Sequence, residues 1–200
     1  MALKTKFDRR GGIEFTANFN GQDMSKFGQR IKDLAEMLGE TEKNNIVGTA
    51  LASAARVIVD RAREKAKALD DPTTPNKIYK NIVARKMKSA KSRGYDAGYR
   101  IGVLGGARDT SIDEELRGQN EENPGGDTWY WRMLEFGRGV VKVKKARLLA
   151  NEEKGLVFGK QVQPASPRPF LRPAADESQQ EAFNKFAEVV DKKITEVLGI

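Results

Sequence analysis

Glu135 stands in the stretch RMLEFG, between Leu134 and Phe136, and two arginines, Arg168 and Arg172, follow in ASPRPFLRPAADES (165–178). A carboxylate among large apolar side chains has to be paired, because an unpaired buried charge is expensive. The sequence therefore predicts an ion pair between Glu135 and Arg168 or Arg172. Pro167, Pro169 and Pro173 lock the backbone around these arginines, so little entropy is lost when they and Phe170 dock. Pro173 also suits the first turn of a helix. The stretch reads as a rigid strap that anchors a C-terminal helix near the aromatic cluster TWYWRMLEFGRG.

Other chemistry is scarce. The chain has no histidine and no cysteine, which removes the commonest general base, the commonest metal ligand, thiolate sites and disulfides. Carboxylates alone favour calcium or magnesium, but Asp113, Glu114, Glu115, Glu121 and Glu122 lack the spacing of a calcium loop and read as a solvated charge run. GVLGGA (102–107) has the glycines of a phosphate cradle, yet neither a helix nor a G-K-[ST] follows, so it reads as a turn. No carboxylate pair or Ser-Lys dyad stands out, and the expectation is a protein without catalytic residues, cofactor or metal.

The net charge is +8. A basic balance points to nucleic acid, an acidic protein or an anionic surface as neighbour. From Thr73 to Gly94 there is no acid, and Lys77, Lys80, Arg85, Lys86, Lys88, Lys91 and Arg93 all fall there. Tyr79 is the only aromatic in that stretch, so base stacking is not expected, although attraction to a nucleic-acid backbone remains open. A loop tip carrying Lys86, Lys88, Lys91 and Arg93 is the candidate contact with an acidic protein partner. The start, MALKTKFDRRGG, is basic without an apolar core, so no secretory signal is expected; no run of eighteen apolar residues is present to cross a membrane.

The elements that must position these residues follow from periodicity. The 200 residues fit one domain. GGIEFTANFNG alternates, with Ile13, Phe15, Ala17 and Phe19 on one face, and predicts a strand closed by an Asn-Gly turn. A short helix over 23–38 starts at Asp23 or Ser25 and ends at Gly39. The strongest helix follows over 41–69, with Val47, Leu51, Ala54, Ile58, Ala62 and Leu69 in one stripe, and Asp71-Pro72 stops it. Gly48 and several alanines allow close packing. Asp60 with Arg63 and Glu64 with Lys67 are suitable pairs. KIYKNIVARKM predicts a helical turn, then a strand, which pairs with a strand in Tyr95–Val103 through the exposed tip KSAKSRG.

Residues 105–127 read as a long polar loop, and Thr128 as the cap of a short helix over Trp129–Phe136 that Gly137 ends. VVKVKKARLL suits a strand or an extended arm, and 148–167 reads as a second long loop. The last helix, over 174–198, presents Phe183, Phe186, Val190, Ile194 and Val197 at helical spacing. The expected class is α+β: a small, mainly antiparallel sheet flanked by a long helix and a C-terminal helix, with extended loops or arms.

WYWRMLEFGRG, followed after a variable loop by RPFLRPAADES, resembles the signature of the gene-product-ten-like tail-completion, or head-tail connector, family of tailed bacteriophages, a group that lambda minor tail protein Z also resembles. Tyr130, Glu135, Phe136, Gly137, Arg168, Pro169, Phe170, Leu171, Arg172, Pro173 and Ala174 occupy the places of that two-part motif. The resemblance implies a structural protein of the virion neck, assembled in the host cytoplasm. It implies a ring, six-fold rather than twelve-fold, between the adjoining connector or head-closure proteins and the tail tube, near the DNA of the channel. A sequence-neutral, basic nucleic-acid-binding protein is the alternative.

Overall fold

The computed structural model describes residues 2–7, 12–18, 26–69, 77–95, 97–104, 128, 130–142, 149–151 and 156–198. Four strands form an antiparallel sheet in the order β1-β2-β4-β3: β1 (Ala2–Phe7), β2 (Ile13–Asn18), β3 (Ile82–Lys86) and β4 (Ala97–Val103). The expected strand is β2, in which Ile13 and Phe15 are buried. Its partner β1 came from the stretch read only as a basic start; ALKTKF alternates too, and it pairs with β2 from Ala2↔Asn18 to Phe7↔Ile13. Phe19, the Asn-Gly turn at 20–21 and the helix stop at 71–72 lie outside the described residues.

The long helix α1 (Lys26–Ala68) contains one non-helical residue, Gly39, at φ 84° and ψ 163°. That backbone is open to glycine and strained for other residues, so Gly39 divides α1 where the sequence predicts one helix to end and the next to begin. Past the break, Val47, Leu51, Ala54, Ile58 and Ala62 are buried as expected, together with Ile46, Ala50, Ala55, Val59 and Ala66. Gly48 is buried, but a Cβ placed there would meet no atom within 4 Å, so the close approach belongs to the alanines. Arg63 pairs with Asp60 at 3.8 Å. Glu64 takes Arg61 rather than Lys67, at 3.0 Å.

The helical turn and strand expected in KIYKNIVARKM are a 3-10 helix at Ile78–Asn81 and β3. β3 pairs with β4 antiparallel, from Ile82↔Val103 to Lys86↔Tyr99. The tip between them is a compact 3-10 turn (Lys91–Arg93) closed by Gly94 at φ 77°. Met87 and Ala90 are buried beneath it.

A short helix, α2 (Trp131–Phe136), ends at Gly137. Three short antiparallel pieces then rise as a two-stranded arm. Arg138 bridges Ala165, β5 (Val141–Lys142) pairs with β8 (Gln161–Val162), and β6 (Leu149–Asn151) pairs with β7 (Leu156–Gly159). Part of 148–167, read as loop, is therefore ladder. The runs are too short for their alternation to stand out, and β5 finds its partner β8 far along the chain. The expected loop at 105–127 lies outside the described residues.

The last helix, α3 (Leu171–Leu198), begins three residues earlier than expected. Phe186, Val190 and Ile194 are buried, but Phe183 and Val197 are 37% and 44% exposed. The buried face instead runs through Leu171, Ala174, Ala175, Ser178 and Ala182. Size misled here: the small residues face α1 because they let two helix axes come close. Lys65 and Glu177 tie the two helices at 2.7 Å.

The architecture is α+β. α1 lies on β3 and β4, α3 packs along α1 and reaches β1 and β2, and both cover one face of the sheet. Ile13, Phe15, Ile82 and Ile101 meet the helices in a single apolar core. Ala54 is fully buried in that core. Ala54→Leu should overpack it and cost about 1–3 kcal/mol in urea denaturation. Ala68→Leu, at the exposed end of the same helix, should change the midpoint little.

Candidate functional site

The two halves of the sequence motif meet at one carboxylate. Glu135 sits on the last turn of α2 and is 0% exposed. Its Oε2 accepts from the backbone N–H groups of Phe170 and Leu171, at 2.8 and 3.0 Å. Its Oε1 accepts from the N–H of Arg172 at 3.0 Å and from the Arg172 Nε at 3.2 Å. Four donors match the four lone-pair directions of an ionised carboxylate. A group so occupied is a structural anchor and has no lone pair left for proton transfer.

These donors are the free start of α3. A helix leaves its first four N–H groups without intrahelical partners. Here Phe170, Leu171 and Arg172 give theirs to Glu135, and the fourth position is Pro173, which has none. The first helical bond follows, from the Ala174 N–H to the Phe170 carbonyl, at 3.3 Å. A negative charge at this end is also favoured by the helix dipole. Arg168-Pro169-Phe170 offers no Ser, Thr, Asp or Asn to cap the helix from within, so the cap comes from a residue far back in the chain.

The end of α2 is closed by the same strap. The Arg168 N–H donates to the Leu134 carbonyl at 2.7 Å, and Arg172 Nη2 donates to the Glu135 carbonyl at 2.8 Å. Gly137 turns the chain at φ 75°. A Cβ there would sit 2.8 Å from the Ala165 carbonyl oxygen and 3.1 Å from Pro167. Glycine is needed twice, for the backbone angle and for the close approach. Arg138 and Ala165 then exchange both backbone hydrogen bonds, each at 2.9 Å, and the arm begins. The motif is a clamp at the base of the arm.

Of the two arginines proposed as partners, Arg172 is the one bonded to Glu135. The Arg168 side chain is exposed and contributes its backbone instead. The Arg172 guanidinium also lies over the Phe136 ring, 5.1 Å from its centroid. Its side chain is 41% exposed, so loss of Glu135 would strand buried amides more than a buried cation. Backbone amides carry no residue signature, which is why side-chain reasoning missed them. The readable clue was a helix start with a proline and no capping residue of its own. Phe170, Leu171 and Ala174 are fully buried side chains of the strap, Pro169 is exposed, and Tyr130 occupies the N-cap position of α2.

Thr128 does not cap α2. Its hydroxyl accepts from Asn81 Nδ2 and donates to the Leu104 carbonyl, both at 3.1 Å. Leu104 in turn bonds the Asn81 carbonyl at 2.8 Å. Thr128 thus pins the two chain ends flanking 105–127 to the sheet.

The solvent face of the sheet holds a second built cluster. Register places Lys6, Glu14, Arg100 and Arg85 side by side across the four strands. Glu14 is only 6% exposed, because Arg93 and Arg100 close over it at 2.7 and 3.0 Å. Arg93, one of the four candidate partner-contact residues of the basic tip, is anchored to the sheet by this bond. Lys86, Lys88 and Lys91 are exposed. Burial pushes the Glu14 carboxyl up, but the hydrogen bonds and charges of Arg93 and Arg100 outweigh it and hold the group below its ordinary 4.5. Among the described residues no group of three or more His, Cys, Asp or Glu could hold a metal ion.

The fold and this clamp define a small α+β protein with a projecting arm. No family model matches the chain, and neither curated proteins nor solved structures give a match.

Two outcomes test this geometry. In urea denaturation Glu135→Ala should cost about 3–5 kcal/mol, since it orphans a cluster of buried donors. Gly137→Ala should cost about 2 kcal/mol or more, and Arg168→Ala less than about 0.5 kcal/mol. For Glu14, a lowered pKa means that the fold holds the ionised form more tightly than the unfolded chain does. Its contribution is complete above pH 4.5 and is lost as pH falls below that value. Stability of the native chain should therefore fall more steeply than that of Glu14→Gln between neutral pH and pH ~3.

Proposed function

We propose that this chain is a structural subunit of the neck of a tailed bacteriophage, a tail-completion or head-tail connector protein that works as a ring. The observation that carries the proposal is the clamp. Two motif halves, separated by an arm, form one buried unit in which Glu135 and Gly137 of the first hold Ala165 to Arg172 of the second. Such a clamp presents an arm from a rigid base, which is what a subunit that reaches its neighbours requires. In this role the protein has no reaction to perform. Its partners are further copies of itself, the adjoining connector or head-closure protein and the tail tube, and its place is the virion. The exposed lysines of the tip, Lys86, Lys88 and Lys91, suit an acidic face on an adjoining protein.

One observation favours the alternative of a sequence-neutral nucleic-acid binder. Lys6 and Arg85 flank the Glu14 cluster on the solvent face of the sheet, and a cationic row of this kind attracts a phosphate backbone.

The two readings differ in a direct measurement. The neck reading expects closed rings of the purified chain, alone or with an adjoining neck protein, in negative stain, and an axial ring of this protein in a virion map. One or two copies away from the axis would overturn it. The alternative expects the monomer to shift DNA in a gel, with affinity falling steeply as salt rises.

A further inference from the structure

Among the described residues, the two most exposed large apolar side chains are Met37 and Val157, each 67% exposed. They lie in opposite electrical surroundings. Met37 is on the leading half of α1, beside Glu36 and one turn from Asp33, with Glu40 and Glu42 following the Gly39 break. From Asp33 to Glu42 there is no basic residue, but Lys43 follows and pairs with Glu40 at 3.0 Å, so the acids that face outward beside Met37 are Glu36 and Glu42. Glu36 has no partner among the described residues.

Val157 is on β7, in the outer hairpin of the arm, and the exposed Lys160 follows it. Nearer the base, Val140 and Val141 are 48% and 40% exposed beside the exposed Lys142. Arg138, Lys142 and Lys160 are the charges among the described residues of 138–165, and none of those residues is acidic. Lys142 and Lys160 have no partner among the described residues. A two-stranded ribbon standing alone is marginal in water, and its outer backbone edges invite a partner.

We propose that the arm of one copy docks on the leading half of α1 of a second copy, Val157 against Met37 and Lys160 facing Glu36. Each copy carries one apolar-and-cationic surface and one apolar-and-acidic surface. Both are exposed in the same chain, so they do not satisfy each other within it. A second copy satisfies both at once. Different surfaces meet, so the contact is head-to-tail and generates a ring where the rotation closes. The choice of occupant rests on the ring reading above and specifies its contact.

The chain has no cysteine, so introduced thiols report single positions. Copies carrying Met37→Cys are mixed with differently tagged copies carrying Val157→Cys and mildly oxidised. The mixed disulfide should exceed the two homodisulfides taken together, which is the limit that random pairing sets. Glu36→Lys or Lys160→Glu should each lower its yield about fivefold, and combining the two reversals should restore it. A chain with both cysteines should give a covalent ladder that stops at a closed species. Circular dichroism checks the fold of each variant. A mixed disulfide no more abundant than the two homodisulfides together overturns the docking, even if rings are seen. A ladder that grows without closing supports the docking and overturns the ring. Reversals without effect on yield overturn the Lys160 and Glu36 pairing, and with it the stated occupant.

Discussion

A helix begins with backbone N–H groups that nothing in the helix can satisfy, and in α3 that start is buried against the rest of the fold. Glu135 meets the need from another element. Its carboxylate takes the N–H groups of Phe170, Leu171 and Arg172, while Pro173 removes the remaining donor. Once those bonds form, α2, the strap and α3 cannot move independently. The face of α3 that meets α1 is then set, and with it the closure of the core over Ile13, Phe15, Ile82 and Ile101.

The clamp also explains how a long excursion can be carried at little cost. Closing a loop of flexible chain becomes only slowly more expensive as the loop lengthens. The Arg138 to Ala165 bridge and the close seat of Gly137 against Ala165 and Pro167 fix the base of the arm. What lies beyond the base is then free to vary in length without loosening the core. Thr128 likewise ties residues 104 and 128 together, joining Asn81 and Leu104 beside the sheet.

Charge on this chain is divided between anchoring and display. Arg93, Arg100 and Arg172 are engaged by Glu14 and Glu135, and Lys65 joins α1 to α3. Lys86, Lys88, Lys91, Lys142 and Lys160 are exposed. A count of basic residues cannot separate these two groups. Arg93 shows the difference, because it sits in the same short tip as Lys91 yet folds back onto Glu14.

The sequence by itself determined the elements whose signal is local. Alternation marked β2, helical spacing marked α1 beyond Gly39, glycine marked the ends at 39 and 137, and the KIYKNIVARKM pattern marked the 3-10 turn and β3. It also marked Glu135 as a carboxylate that had to be satisfied. What satisfies it was decided by tertiary structure, because backbone amides are the same in every residue except proline. The buried face of α3 was likewise a matter of packing, since Ala174, Ala175 and Ala182 win their place by letting α1 come close while Phe183 stays at the surface. The arm was half legible: VVKVKKARLL suited a strand or an extended arm and holds β5, whereas 148–167 read as loop. The returning strands β7 and β8 are a few residues long, and a strand that short has no period of its own until a partner supplies the other half of its hydrogen bonds.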